Sequence, residues 1–536
     1  MNKKSSFVHQ AAILAAASLI VRLIGFAYRI PLTRFVGDAG NAYYTTAYSV
    51  YAFALIMSST AMPIAISKLV SERIALGRYH DAHELFKNAM AITAILGAFF
   101  AMFLAIGANW ITQLRFFDFP EAAYSVRILA PTVFVVAIMM VIRGYFQGMN
   151  TMVPTAITQV VEQLFNVIFS VFLAYVLLSR TGRLELGAAG AAAGTGIGAV
   201  VGLAVIGGIY LLVSKQIRVR AAGNAHTLSL TGGAERWDAQ VKAILLTAFP
   251  IIIGMGIYHI ATFIDLGMAK YRIMSSGVFT DDYVDALVGQ FTGKFILLTT
   301  LPVALSIALS QAVIPDISSS KATMDKAAVR QKINTAMRIS MTLSIPAVVG
   351  LTVLADPILA LLFPNYPDGG RLLQVGAVSI IFLALVQVSA ASLQGIGKVM
   401  LPAIAAFCGV MVKIPINWYL LAVPRINILG AVISTIVCYI VAAGINLFFL
   451  HKYTGVRPEY RGVFLKPALA ATGMGFACFV AHHLISLAAP ARFATVVALI
   501  IGVPMYIVLM WMLGGFPKQD IAMAPLPKFI RKWLMS

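Results

Sequence analysis

Residues 186–213 read LGAAGAAAGTGIGAVVGLAVIGGIYLLV, twenty-eight positions without one charge. About 20 apolar residues in a helix cross the hydrocarbon core of a bilayer, and a soluble helix has no need of so long a run. Within it Gly190, Gly194, Gly198 and Gly202 recur at every fourth place. On a helix that spacing makes one smooth stripe, against which a second helix can approach closely. The stretch reads as a membrane span made to be packed upon.

The whole chain has the same character. Of 536 residues 60% are hydrophobic and 11% charged, with a mean hydropathy of +0.89, whereas soluble domains carry about 25% charged residues. Fourteen apolar windows follow one another: 9–31, 42–67, 88–112, 123–147, 155–179, 186–213, 243–272, 289–314, 334–355, 371–394, 402–422, 428–450, 464–487 and 493–514. The polar stretches between them are too short to bury a core of their own. An all-α integral membrane protein of about 14 transmembrane helices is therefore predicted, and a soluble or merely anchored enzyme is excluded.

The net charge of +20 would suggest nucleic acid in a soluble protein. In a membrane protein it reads as orientation, because Lys and Arg collect in cytoplasmic loops. With the N-terminus inside, 26 of the 40 Lys and Arg fall on the cytoplasmic side, 11 fall opposite, and Arg22, Lys294 and Lys413 lie within spans. Both termini are expected in the cytoplasm, and no nucleic-acid partner is expected. Cys408, Cys438 and Cys478 all lie in apolar runs, so neither a disulfide framework nor a metal site is indicated. No phosphate-binding loop, dinucleotide fingerprint or catalytic triad is present, and no cofactor is expected.

The second six spans echo the first six. Val21-Arg22-Leu23 falls on Ile264-Asp265-Leu266 at an offset of 243, and Leu186-Gly187-Ala188 returns as Leu429-Gly430-Ala431 at the same offset. At an offset of 247 the Gln147-Gly148 turn before Pro154 meets Gln394-Gly395 before Pro402. Six spans per repeat make the halves parallel, an arrangement of transporters. The expected organisation is a first lobe at 1–213 and a cytoplasmic linker at 214–242. A second lobe at 243–453, spans 13 and 14 at 454–514, and a basic tail at 515–536 complete it.

Val21-Arg22-Leu23-Ile24-Gly25-Phe26, Arg34-Phe35-Val36-Gly37 and the turns Gln147-Gly148-Met149-Asn150 and Gln394-Gly395-Ile396-Gly397-Lys398 carry a resemblance. With two six-span halves and two further spans, the chain resembles the multidrug/oligosaccharidyl-lipid/polysaccharide exporter superfamily. Within it, the chain is most similar to the MurJ-like flippases of the YtgP and SpoVB type. The resemblance implies movement of an undecaprenyl-pyrophosphate-linked sugar, lipid II foremost, from the inner to the outer leaflet of a bacterial plasma membrane, by a monomer. It also implies that spans 13 and 14 help shape a groove for the prenyl tail.

A charge deep in a span needs a partner or a wet cavity. Arg22 and Glu162 lie deepest in the first half, Asp265 and Lys413 in the second. The repeat sets Arg22 against Asp265 and Glu162 against Lys413, with Asn166 and Asn417 each four residues further on. The expected pairs are Arg22 with Glu162 and Asp265 with Lys413; Glu162 with Lys413 is the other way to join them. Family members that use sodium carry a carboxylate on span 7 and an Asn and Asp on span 11. Here Lys413 and Asn417 stand at the span 11 places. That departure counts against sodium at this site and leaves the membrane potential or protons as the drive. The family's diphosphate-binding arginines correspond to Arg22, to Arg29 one place displaced, and to Lys294; where the span 2 arginine would fall the chain reads Tyr51-Ala52-Phe53-Ala54-Leu55. Arg29 is expected near the outer interface. The tail beyond Pro517, with Lys528, Arg531 and Lys532 beside Phe529 and Trp533, suits anionic lipids.

Two other functions compete. A drug or cation antiporter of the same superfamily would have twelve spans and an acidic cavity. An envelope glycosyltransferase would need a large outer loop bearing catalytic acids, and the longest candidate, 275–287, offers Asp281, Asp282 and Asp285 alone.

Overall fold

The computed structural model describes residues 16–18, 20–114, 118–228, 235–304, 306–307, 317, 321, 325–398, 400–457 and 459–516, and no strand occurs among them. The chain divides into two compact units, Met1–Tyr271 and Arg272–Ser536. The basic tail expected to meet anionic lipids lies outside the described residues from 517 onward.

In the first unit α1 (Ala16–Ala27) is followed by α2 (Arg29–Leu55), α3 (Met62–Ala75), α4 (Tyr79–Gln113), α5 (Ala123–Gly148), α6 (Val153–Thr181), α7 (Leu184–Leu228) and most of α8 (Trp237–Met274). α2 is broken at Gly37, whose φ of 70° and ψ of −173° are open to glycine and costly for a side chain. The Tyr28 and Tyr44 hydroxyls are 3.1 Å apart, although sixteen residues of straight helix would span about 24 Å. The chain therefore folds back at Gly37, and helix continues for five residues beyond the expected end of the first span at 31.

The glycine stripe of α7 packs on α6. A Cβ at Gly190 would lie 2.6 Å from the Leu173 carbonyl oxygen, and one at Gly198 would lie 2.6 Å from that of Glu162. At Gly194 it would run into the backbone of Ser170. Any side chain on the stripe forces these backbones apart, so the close approach is a property of the sequence itself.

Most of α8, the seventh expected span, is held to the first unit, and the division falls near its end, between Tyr271 and Arg272. Arg73 on α3 grips Glu235 with Nε at 2.8 Å and a terminal nitrogen at 2.7 Å. The Glu235 backbone N–H donates to Asp81, which also takes Arg78 at 2.7 Å. Asn88 donates to Gln240 at 2.7 Å. These bonds fasten the entry of α8 to the turn between α3 and α4.

The second unit contains α9 (Asp281–Gln290), which continues through a π-turn at Phe291–Phe295 to Ala304. Then come α10 (Lys326–Val353), α11 (Ala355–Leu362), α12 (Gly370–Gly376) and α13 (Ser379–Gly395), the last two meeting at 46°. α14 (Met400–Leu421) packs on α15 (Leu429–Thr454), and α16 (Lys466–Ser486) packs on α17 (Ala491–Met512) and on α10.

The repeat read from the sequence recurs in backbone geometry. After α5 the N–H groups of Met149, Asn150 and Thr151 donate to the carbonyls of Tyr145, Gln147 and Phe146. After α13 those of Ile396, Gly397 and Lys398 donate to Ser392, Gln394 and Leu393, each pair displaced by 247 residues. Asn150 and Gly397 both have positive φ, 59° and 79°, as this helix-ending turn requires. Gly37 and Gly277, 240 residues apart, also both have positive φ, 70° and 68°. The helix after each carries one π-turn, at Ile56–Thr60 and Phe291–Phe295.

Eleven described helices are long and apolar enough to cross a membrane, or twelve with the bent pair of α12 and α13. Of the expected fourteen windows, 9–31 shows the shorter α1 and the start of α2 within its described part, and 243–272 lies within α8.

Candidate functional site

Glu162 on α6 pairs with Arg143 on α5 at 2.7 Å, not with Arg22 as the repeat suggests. Arg143 is buried, and its Nε also donates to Thr158 at 3.2 Å. Its position near the end of a span makes it look like one more orientation charge, which is why the sequence hides it. α5 runs helical through Gly148, so the guanidinium stays beneath the surface, where an acid on the neighbouring helix must answer it. Arg22 on α1 is exposed and has no partner among the described residues.

One turn further along α6, Asn166 accepts from Ser170 at 2.8 Å and from Thr195 on α7 at 3.3 Å. Ser170 Oγ also lies within 2.8 Å of the Ala191 carbonyl oxygen. Asn166 thus stitches the glycine-lined helix pair together. Its counterpart Asn417 on α14 does the same in the second unit, accepting from Ser434 on α15 at 3.1 Å.

Arg29 is packed across the break at Gly37. It stands eight residues before the break at Gly37, level with Tyr44 seven residues after it, and its guanidinium carbon lies 6.0 Å from the Tyr44 ring centre. From Tyr44 a ladder of rings runs along the helix, Tyr44 to Tyr48 at 6.0 Å and Tyr48 to Tyr51 at 5.7 Å. Tyr44 and Tyr51 are buried, whereas Tyr48 is 38% exposed. Spacing of four and then three residues puts all three on one helical face, a signal legible in the sequence.

Lys294 lies in the π-turn after α9 and is 1% exposed. Its ammonium donates to the carbonyls of Tyr366 at 2.7 Å and Asp368 at 3.0 Å, with the Phe363 ring centre 5.7 Å away. In this structure the ammonium of the expected diphosphate ligand thus fastens the 363–369 loop. Asp265 and Lys413 are both buried, the first within the first unit and the second within the second. Lys270, also 1% exposed, sets its ammonium 4.6 Å from the Phe119 ring centre; the sequence gives no hint of that contact.

Among the described residues, the second unit holds a cavity of about 630 Å³ between α10, α16 and α17. Thr342, Pro346, Gly350, Met474, Gly502 and Tyr506 are among its lining residues, with Arg338 at one margin. The walls are almost wholly apolar, and the Tyr506 hydroxyl donates to the Thr342 carbonyl at 2.8 Å. Arg338 is tied to Glu459 at 2.9 Å. The two helices beyond the second repeat thus form a greasy groove rather than an extension of the charged interior.

Comparison with known proteins agrees with this architecture. The chain is 27% identical to the membrane protein YabM of Bacillus subtilis over 99% of its own length and 98% of the relative. It is also 27% identical to the Bacillus subtilis lipid II flippase MurJ, over 84% of each chain. A solved structure of lipid II flippase MurJ in an inward closed conformation superposes with a TM-score of 0.70 at 15% identity, covering 94% of this chain and 98% of that one. The MatE family model matches residues 291–419. The model described as polysaccharide biosynthesis protein matches residues 7–321, more than half of the sequence, and this multi-pass membrane transporter belongs to that family.

Proposed function

We propose that the protein is a flippase which carries an undecaprenyl-diphosphate-linked cell-wall precursor, lipid II foremost, from the inner to the outer leaflet of a bacterial plasma membrane. The observation that carries this reading is the groove of about 630 Å³ walled by α10, α16 and α17. An apolar channel open to a long prenyl chain has no use in the export of a compact cation. In this reading Arg22 meets the diphosphate in the first unit, since Arg143 is already neutralised by Glu162. Relatives named as lipid II flippases support the same substrate class. The monomer works with both termini in the cytoplasm, and the drive is the membrane potential or protons.

Depletion of the protein in its native cell tests the proposal. The expected result is accumulation of one undecaprenyl-linked intermediate in the inner leaflet, whose identity names the cargo. Export of lipophilic cations by the purified protein in vesicles, without movement of a prenyl-diphosphate sugar, would overturn it in favour of an antiporter.

A further inference from the structure

Tyr48 lies eleven residues beyond the break at Gly37, about 16 Å along the helix. It is 38% exposed, while Tyr44 and Tyr51 on either side are buried at 0% and 3%. The two buried rings, centred 6.0 and 5.7 Å away, hold it in place. Arg29, whose guanidinium carbon lies 6.0 Å from the neighbouring Tyr44 ring centre, and Glu162 are charged groups in its surroundings. Glu162 gives its Oε2 to Arg143 at 2.7 Å and keeps 26% of its side chain exposed. Its Oε1 accepts no hydrogen bond among the described residues.

We propose that Tyr48 is the platform for a sugar ring of the cargo, with Glu162 Oε1 accepting and Arg29 donating to hydroxyls at its edge. The inference rests on the flippase reading and gives that reading a place for the head of the molecule. An aromatic face carries negative charge density, which the positive C–H edges of a pyranose meet. Sugar hydroxyls both donate and accept, so they match a carboxylate and a guanidinium at once. A diphosphate would be repelled by Glu162 and gains nothing from a ring face. A prenyl tail would be ill placed against either charge.

The test measures binding to the purified full-length protein in lipid nanodiscs, with two probes: undecaprenyl diphosphate and undecaprenyl diphosphate bearing a disaccharide. Tyr48→Leu should weaken binding of the disaccharide lipid about tenfold, the scale of one lost ring contact, and leave undecaprenyl diphosphate unchanged. Tyr48→Phe, which keeps the ring, should bind both like the wild type. Equal weakening of both probes by Tyr48→Leu, or of neither, overturns the subsite. Failure of the wild type to bind either probe overturns the flippase reading itself and takes the subsite with it. Unaltered binding of the sugarless lipid also serves as the control that the variant is folded.

Discussion

Arg143 and Glu162, on consecutive helices of the first unit, form an ion pair of 2.7 Å in which the arginine side chain is 4% exposed and the glutamate 26%. Removing one partner of such a pair strands the other in a medium that cannot solvate it. Arg143 left alone should cost roughly 3 kcal/mol, the lower end of the range for buried pairs because Glu162 is partly open. Glu162→Gln and Arg143→Met should therefore each lower the melting temperature in detergent, and the double variant should recover part of the loss. Additive losses in that cycle would mean that the two residues act independently.

The glycine stripe gives a contrast within one helix. Gly194→Ala drives a methyl into the Ser170 backbone, whereas a Cβ at Gly208 meets nothing within 4 Å. The first substitution should separate α6 from α7 and abolish transport. The second should raise the melting temperature slightly, since alanine in a helix is favoured over glycine by about 1 kcal/mol. Size-exclusion profiles after a heating series distinguish the two.

Lys294→Met removes the ammonium from the carbonyls of Tyr366 and Asp368. Hydrogen bonds from a charged donor contribute about 1.5–3 kcal/mol, and the 363–369 loop should become a faster site of limited proteolysis. Binding of undecaprenyl diphosphate should hold within twofold if Lys294 is a clamp, and should collapse if it is a ligand.

Gly350 faces the groove, and a Cβ placed on it would meet only Met474 Cε, at 3.9 Å. Gly350→Trp should fill the groove and stop flipping with little change in melting temperature. Flipping at the wild-type rate by this variant would deny the groove a part in transport.

Orientation is checked by thiol labelling in intact cells after Cys408, Cys438 and Cys478 are replaced. Val278→Cys, in the outer loop, should react with an impermeant reagent, and Asn224→Cys, in the linker, should be shielded. The opposite pattern would invert the proposed direction of transport.

Local signals carry the fold. Runs without charge, a glycine every fourth residue and the paired turns at 147–150 and 394–398 are each set by a few consecutive residues, and each appears in the structure. The charged interior is less legible, because partner choice depends on which face a residue occupies and on where its helix ends. Arg143 resembles a loop charge because the apolar window of α5 ends close to it. The apolar window of the first span ends at 31, five residues before the last helical position ahead of Gly37, so no local signal shows that Arg29 meets Tyr44. Lys294 cannot be assigned from sequence at all: its partners are backbone carbonyls 72 and 74 residues away, and carbonyls leave no trace in side-chain identity.

The walls of the α10, α16 and α17 groove have a thermodynamic meaning for any prenyl chain that enters. Hydrocarbon moving from bilayer interior to apolar side chains leaves one oily medium for another, so the usual driving force of burial is absent. Partitioning of the tail is then close to neutral, and lengthening or shortening the chain should alter affinity far less than the same change would in a water-filled pocket. For the proposed cargo, selectivity then resides at the polar end of the molecule, and the groove would serve as a guide rail that lets the tail stay among hydrocarbon as the head changes sides.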